Sequence, residues 1–217
     1  CNAAMILSKH NKKSPLIIGE ILRKNFLDNF SEFEKIDVAK PGFLNICFNI
    51  GFWEKYLHKI IQTSINFGSN KTDKKKYNVE FVSANPTGPL HVGHCRGAVL
   101  GDVIANLLKF NGHSVTKEYY VNDHGNQIKN FVLSVYYRIL EIVDKKNFPD
   151  DKDLYPGEYI IDIAKNIIKK RNIINFDDFN KIYNNLSSES LNSSIEIIKK
   201  NLNDLGINHD YFIYESE

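Results

Sequence analysis

Cysteine is scarce in this 217-residue chain, and the three present, Cys1, Cys47 and Cys95, stand far apart. An odd count at those distances forms neither a disulfide framework nor a metal-binding pair of close cysteines. No apolar run approaches the roughly 20 residues needed to span a bilayer. No basic-then-apolar leader of the secretory type opens the chain. These absences lead us to expect a soluble protein in a reducing cytoplasm, with no membrane partner. Internal repeats are also missing, and no G-x-G-x-x-G follows the first candidate strand of the rear half, which disfavours a dinucleotide-binding fold. What is present is 42% hydrophobic, enough to bury a sizeable core and to argue against global disorder.

The net charge of +2 hides an uneven distribution. Residues 1–76 hold 13 Lys and Arg against 7 Asp and Glu, and residues 77–217 hold 15 against 19. A basic front beside an acidic rear fits a polyanionic partner contacted by the front, although a solvated lysine surface gives the same count. The chain opens on Cys1-Asn2-Ala3-Ala4, with Met5 already inside an apolar stretch. An appended stretch at the start fits as well as a missing first part, and we expect the start of the front module to be missing.

The pattern predicts two modules. In the first, over 1–70, a short helix over 3–7 precedes Ser14-Pro15, which reads as an N-cap followed by proline at the first helical position. That helix should run to residue 29 with Ile17, Ile18, Ile21, Leu22 and Leu27 inward. Segments 33–38 and 43–49 alternate like strands about a turn at Pro41-Gly42, and a helix resumes over 51–66. The polar stretch 68–76 reads as a linker. In the second module, over 71–217, a strand over 77–83 leads through a loop with Asn-Pro and Gly-Pro breakers into a helix over 93–110. A strand over 115–121 follows, then a helix opening at Asp123-His124-Gly125. This order is a βαβ unit with parallel strands. A polar insertion over 144–157, helices over 158–170, 176–185 and 191–205, and a strand over 207–214 complete an α/β module that we expect to be truncated.

The informative stretch runs from Glu80 to His94. The strand delivers its loop to the mouth of a parallel sheet, where ligands bind in doubly wound folds. The helix beginning near Gly93 turns its free N–H groups and positive dipole end towards that mouth, which suits a triphosphate. Gly93, lacking a Cβ, leaves room for a base or ribose against the backbone. His91 and His94, three apart, project to one side and offer donors to oxygens whose charge grows during attack on phosphorus. Two other readings remain open for a bare H-x-G-H: a metal pair, lacking a third ligand nearby, or two surface histidines at a helix end.

The wider context narrows this choice. His91-Val92-Gly93-His94 resembles the HIGH signature of class I aminoacyl-tRNA synthetases, with Val92 in place of the usual Ile. The run V-E-F-V-S-A-N-P-T-G-P-L-H-V-G-H-C-R-G-A is similar to the arginyl-tRNA synthetase form in particular. Y-Y-V-N-D-H-G-N-Q-I over 119–128, Y-P-G-E-Y over 155–159 and L-G-I-N-H-D over 205–210 look like further landmarks of that family. In the front module Lys40-Pro41-Gly42-Phe43-Leu44-Asn45 resembles a strand turn of its additional N-terminal domain. The second signature loop and the anticodon-binding helices of the family would lie beyond Glu217.

The resemblance implies a small α+β N-terminal domain followed by the first half of a Rossmann-like catalytic domain. It implies ATP-dependent activation of L-arginine and transfer to tRNA(Arg), with Mg2+ accompanying ATP, by a monomer. By the same match, His91, Gly93 and His94 belong to ATP, the two histidines acting in catalysis. Glu80 and Asn85 contact arginine, with Asp123 and Gln127 lining the same pocket and Glu215 near the guanidinium. Phe43 and Asn45 hold a base of the tRNA D-loop. Two alternatives stay in view: a stand-alone tRNA-binding module, and another H-x-G-H adenylyltransferase. Taken alone, Glu80 also reads as a solvated strand residue, Asp123 as a helix cap, Phe43 as a core residue and Glu215 as an exposed residue near a chain end.

Overall fold

The computed structural model describes residues 1–70, 73–170, 173 and 175–216. Lys71 and Thr72, at the start of the second predicted module, lie outside the described residues. The chain forms two compact units, Cys1–Gly68 and Ser69–Glu217.

In the first unit, α1 (Ala3–Asn11) and α2 (Pro15–Asn29) pack against an antiparallel pair, β1 (Phe33–Ala39) and β2 (Phe43–Phe48). Ser14 Oγ accepts from Ile17 N–H at 3.4 Å, with Pro15 opening the helix. Asn49 does the same for α3 (Ile50–Thr63), accepting from Phe52 N–H at 2.9 Å, and a short 3-10 turn follows over Ser64–Asn66. Ala4, Ile18, Ile36 and Leu44 form the buried centre. The inward face of α2 differs from expectation. Ile18 and Gly19 are buried, whereas Ile17, Ile21 and Leu27 are exposed. The apolar residues of α2 wrap more than one stripe, so periodicity alone left two faces to choose from. Packing selects the one through Ile18, and Leu16, Ile17 and Ile21 line an open apolar groove.

The second unit is built on a parallel sheet in the order β3 (Lys76–Glu80), β4 (Ser114–Val121), β5 (Tyr211–Tyr214). Helix α4 (Val92–Phe110) connects β3 to β4, and α5 (Asn126–Asp144), α6 (Glu158–Lys170) and α7 (Phe179–Asp204) intervene before β5. Inward residues alternate along β4: Lys117, Tyr119 and Val121 are buried. One apolar cluster joins Phe81, Ala98, Tyr119 and Val121 to Ile195, Ile198 and Leu202 of α7. A second joins α5 and α6 to Leu186 of the same helix.

Four expectations are corrected here. β3 stops at Glu80 rather than at 83, because Val82 and Ser83 adopt positive φ (70° and 41°), outside any strand conformation. β5 is confined to Tyr211–Tyr214, because Asp210 is tied to Lys117, donating from its N–H to Lys117 O (2.8 Å) and accepting from Lys117 N–H at its carboxylate (2.7 Å). α5 begins at Asn126, after Gly125 at φ 92°. The two helices expected over 176–205 are a single one, α7. The serines between them do not break it: Ser190 and Ser194 are small enough to be buried, and Ser193 Oγ folds back onto Glu189 O at 2.9 Å.

Candidate active site

The loop after β3 carries chemistry at both ends. At its far end His91 caps α4. Its Nδ1 accepts from Gly93 N–H at 3.1 Å, while His94 Nδ1 accepts from His91 N–H at 3.4 Å. The arrangement is a reciprocal capping box made from two imidazoles. The rings stack, with centroids 3.6 Å apart. Both Nδ1 atoms are occupied as acceptors, so each neutral ring carries its proton on Nε2. Each Nε2–H is then an outward donor at the positive end of a helix. Burial, then the neighbouring His91, holds His94 below the usual histidine range and favours the neutral form. Gly93 also has a local role. A Cβ there would stand 2.9 Å from His91 Cε1, so its missing side chain makes room for the capping ring.

At the near end, acids gather on one face of the sheet edge. Glu80 closes β3, and Ser83 Oγ donates to Glu80 Oε1 at 2.7 Å while accepting from Tyr120 N–H at 3.1 Å. Asp123, just beyond β4, accepts from Ser216 N–H (3.1 Å) and Oγ–H (2.6 Å). Burial acts to raise its carboxyl, but these bonds and His124 outweigh it, so Asp123 sits below the usual carboxylate range. Glu215 follows β5, its N–H donating to Val121 O at 3.0 Å. The side-chain amide of Asn122, oriented to suit its neighbours, donates to Glu215 Oε2 at 2.8 Å. Tyr120 stands among these groups. Desolvation, and then the charges of Glu215, Asp123 and Glu80, push its phenol upward. Asn85 in the loop donates from Nδ2 to Gln127 Oε1 on α5 at 2.5 Å.

The structure thus brings Glu80, Asp123 and Glu215 around Tyr120, pairs Asn85 with Gln127, and pairs His91 with His94. Asp123 and Gln127 do not share a helical turn as expected. Asp123 precedes α5 and is held from the β5 side, whereas Gln127 turns to the β3 loop. Phe43 and Asn45 lie in the other unit. Both are exposed on β2, Phe43 at 43%, with Leu44 buried between them, so Phe43 is not a core residue. Ser83, Tyr120, Asn122 and Ser216 were missed by sequence reasoning. A signal existed for Tyr120, since strand alternation with Tyr119 and Val121 inward sends it to the opposite face. Among the described residues, no group of three His, Cys, Asp or Glu side chains is placed to hold a metal ion.

A parallel sheet whose first loop ends in a histidine-capped helix is the architecture of a class I aminoacyl-tRNA synthetase catalytic domain, and the family model described as "tRNA synthetases class I (R), catalytic domain" matches residues 56–155. A second, "Arginyl tRNA synthetase N terminal domain", matches residues 1–48. Among curated relatives, the arginine–tRNA ligase of Pelagibacter ubique is 52% identical over 218 residues, and that of the Wolbachia of Brugia malayi 46% over 219. Each alignment covers 100% of this chain and 38% of the relative. Among solved structures, a putative arginyl-tRNA synthetase from Campylobacter jejuni superposes with a TM-score of 0.68 at 33% identity, over 76% of this chain and 36% of that one. The Thermus thermophilus enzyme shares the fold at a TM-score of 0.58 and 22% identity, over 98% of this chain and 34% of that one. The chain belongs to the arginyl-tRNA synthetase family and corresponds to its N-terminal region. It spans about 38% of the length of the curated relatives it matches.

Proposed function

We propose that this chain supplies the arginine and phosphate subsites of an arginine–tRNA ligase that uses ATP. The observation that carries the reading is the loop over 81–91, which has acids gathered at one end and two outward Nε2–H donors at the other. L-Arginine enters with its guanidinium towards Glu80, Asp123 and Glu215, whose oxygens accept paired N–H bonds in a geometry that a lysine ammonium does not reproduce. Asn85, steadied by Gln127, orients the amino acid's ammonium or carboxylate. The ATP phosphates lie at the start of α4 beside His91, Gly93 and His94. The Nε2–H groups of the two imidazoles suit anionic oxygens, and Mg2+ arrives on the phosphates rather than in a protein cage.

In the activation step a carboxylate oxygen of arginine attacks the α-phosphorus. The bond from that phosphorus to the oxygen bridging the β-phosphate breaks, and pyrophosphate leaves with the electron pair. No protein nucleophile is needed, so catalysis consists of positioning and charge stabilisation. His91 and His94 hydrogen-bond to the oxygens that gain charge. Transfer to the 3′ end of tRNA(Arg) completes the reaction, with Phe43 stacking on, and Asn45 hydrogen-bonding to, an unpaired base of the tRNA. The whole protein acts as a monomer in the cytoplasm; among the described residues no helix is long and apolar enough to cross a membrane.

The test is ATP–pyrophosphate exchange by a protein of the relatives' full length carrying this chain. Exchange that depends on arginine, and not on lysine, is expected. tRNA binding without any exchange would favour a stand-alone tRNA-binding module, and exchange driven by a different acid substrate would favour another adenylyltransferase.

A further inference from the structure

The loop between the two subsites contains little regular structure, yet its backbone is gripped along its length by side chains from distant elements. His209, ahead of β5, donates from Nε2 to Phe81 O at 3.2 Å. Tyr119 of β4 donates its hydroxyl to Ala84 O at 2.8 Å. Tyr159 of α6 donates its hydroxyl to Thr87 O at 2.9 Å, and its ring fills the space beside Gly88, where a Cβ would lie 2.8 Å from the ring. Asn201 of α7 accepts from Leu90 N–H at 3.1 Å through Oδ1. Two of these four grips come from α6 and α7, which carry none of the residues assigned to arginine or ATP. Burial pushes the Tyr159 phenol up to about 12, so its proton stays on the oxygen that donates to the loop.

We infer that Tyr159 and Asn201 are positioning residues. They set the reach of the loop over 84–90, and with it the distance and angle between the arginine carboxylate and the α-phosphorus. The inference rests on the ligase reading above. Its physical basis is that Asn85 binds one reactant and the paired imidazoles bind the other, while the chain between them has no helix or strand of its own to hold it straight. Its carbonyls and N–H groups are fixed instead by groups at the ends of α6 and α7. A shift of about 1 Å between reacting atoms costs on the order of 10²-fold in rate while leaving each reactant able to bind. Loss of a grip therefore appears in kcat, not in either KM.

The experiment measures arginine-dependent ATP–pyrophosphate exchange in a protein of full length. Tyr159→Phe removes one oxygen and keeps the ring packing. Asn201→Leu removes the acceptor, and Asn201→Asp restores an acceptor oxygen on the same stem. We expect Tyr159→Phe and Asn201→Leu each to lower kcat by about 10-fold or more, with both KM values within about 3-fold of the parent. We expect Asn201→Asp to recover most of the loss. Circular dichroism at the assay temperature, matching the parent, separates this from unfolding. An inactive parent would refute the ligase reading itself. An active parent with unchanged kcat in both variants, or with raised KM and unchanged kcat, would overturn the positioning role alone. So would a loss in Asn201→Leu that Asn201→Asp does not recover.

Discussion

The two candidate contact regions are made in different ways. On β2 the side chains of Phe43 and Asn45 emerge from a regular strand, two residues apart, with Leu44 buried between them. Nothing beyond strand alternation is needed to display them. At the sheet edge of the second unit no two of the gathered acids are close in sequence, and Glu80 and Glu215 both act on Tyr120 only because β3 and β5 flank the same strand. A surface built from one strand suits stacking on an accessible base. Acceptors brought from three strand ends suit a small cation approached from several sides. The first should therefore tolerate substitution locally, and the second should be sensitive to single atoms.

The sharpest test of that contrast is His94→Ala in a protein of full length. Its adenylation rate should fall by roughly 10²–10³, the scale for one transition-state donor, as read by pyrophosphate exchange. Near-parent exchange would remove His94 from the chemistry. Next come Glu80→Gln and Glu215→Gln, each expected to raise the arginine KM by at least about 10-fold with the ATP KM nearly unchanged. An unchanged arginine KM in either would eliminate that acid as a guanidinium ligand. Smaller still is Phe43→Ala. A lost base stack is worth about 1–3 kcal/mol, and the lower end, about 5-fold in tRNA affinity at fixed salt, fits a ring that its own unit half covers. Asn45→Ala should act in the same direction, with arginine and ATP affinities untouched by either.

The smallest effect concerns pH and stability. His209 is half-buried with its Nδ1 unpartnered, and burial holds it below its ordinary value of 6.5, opposed by its bond to Phe81 O; the charges of Lys117, Asp102 and Asp210 surround it. His94 is lowered as well. The unfolded chain takes protons on these rings near 6.5 and the folded chain only at lower pH. Stability is thus fully present above about 6.5 and declines as pH falls through the lowered values. Thermal melts between about pH 8 and pH 5 should show this decline, and His209→Gln should flatten it. An identical slope in the variant would assign the dependence to other groups.

Much of this could be read from the chain beforehand where the physics is local. The Ser14-Pro15 helix start, the alternation of β2 and the βαβ order rest on neighbours in sequence, and the structure reproduces them. What escaped was long-range. Ser83 bridges Glu80 to the Tyr120 backbone, and Asn201 reaches Leu90 across 111 positions, so no local pattern marks them. The end of β3 was misjudged because Val82, a strand former by composition, and Ser83 both take positive φ, while Ser83 Oγ accepts from Tyr120 N–H of β4. The double use of His91 and His94 was half visible, since their spacing is that of a capping box, but imidazoles are not the usual capping side chains.

One consequence follows from α7 being a single rod. Its first half contributes Leu186 to the helical cluster, and its second half contributes Ile195, Ile198 and Leu202 to the sheet cluster. Neither cluster can come apart by itself without either fraying this helix at its middle or drawing apolar side chains out of the other. The 144–204 insertion is therefore no separately melting appendage. It shares its stability with the sheet that bears the site, and a substitution that weakens one cluster lowers the stability of both.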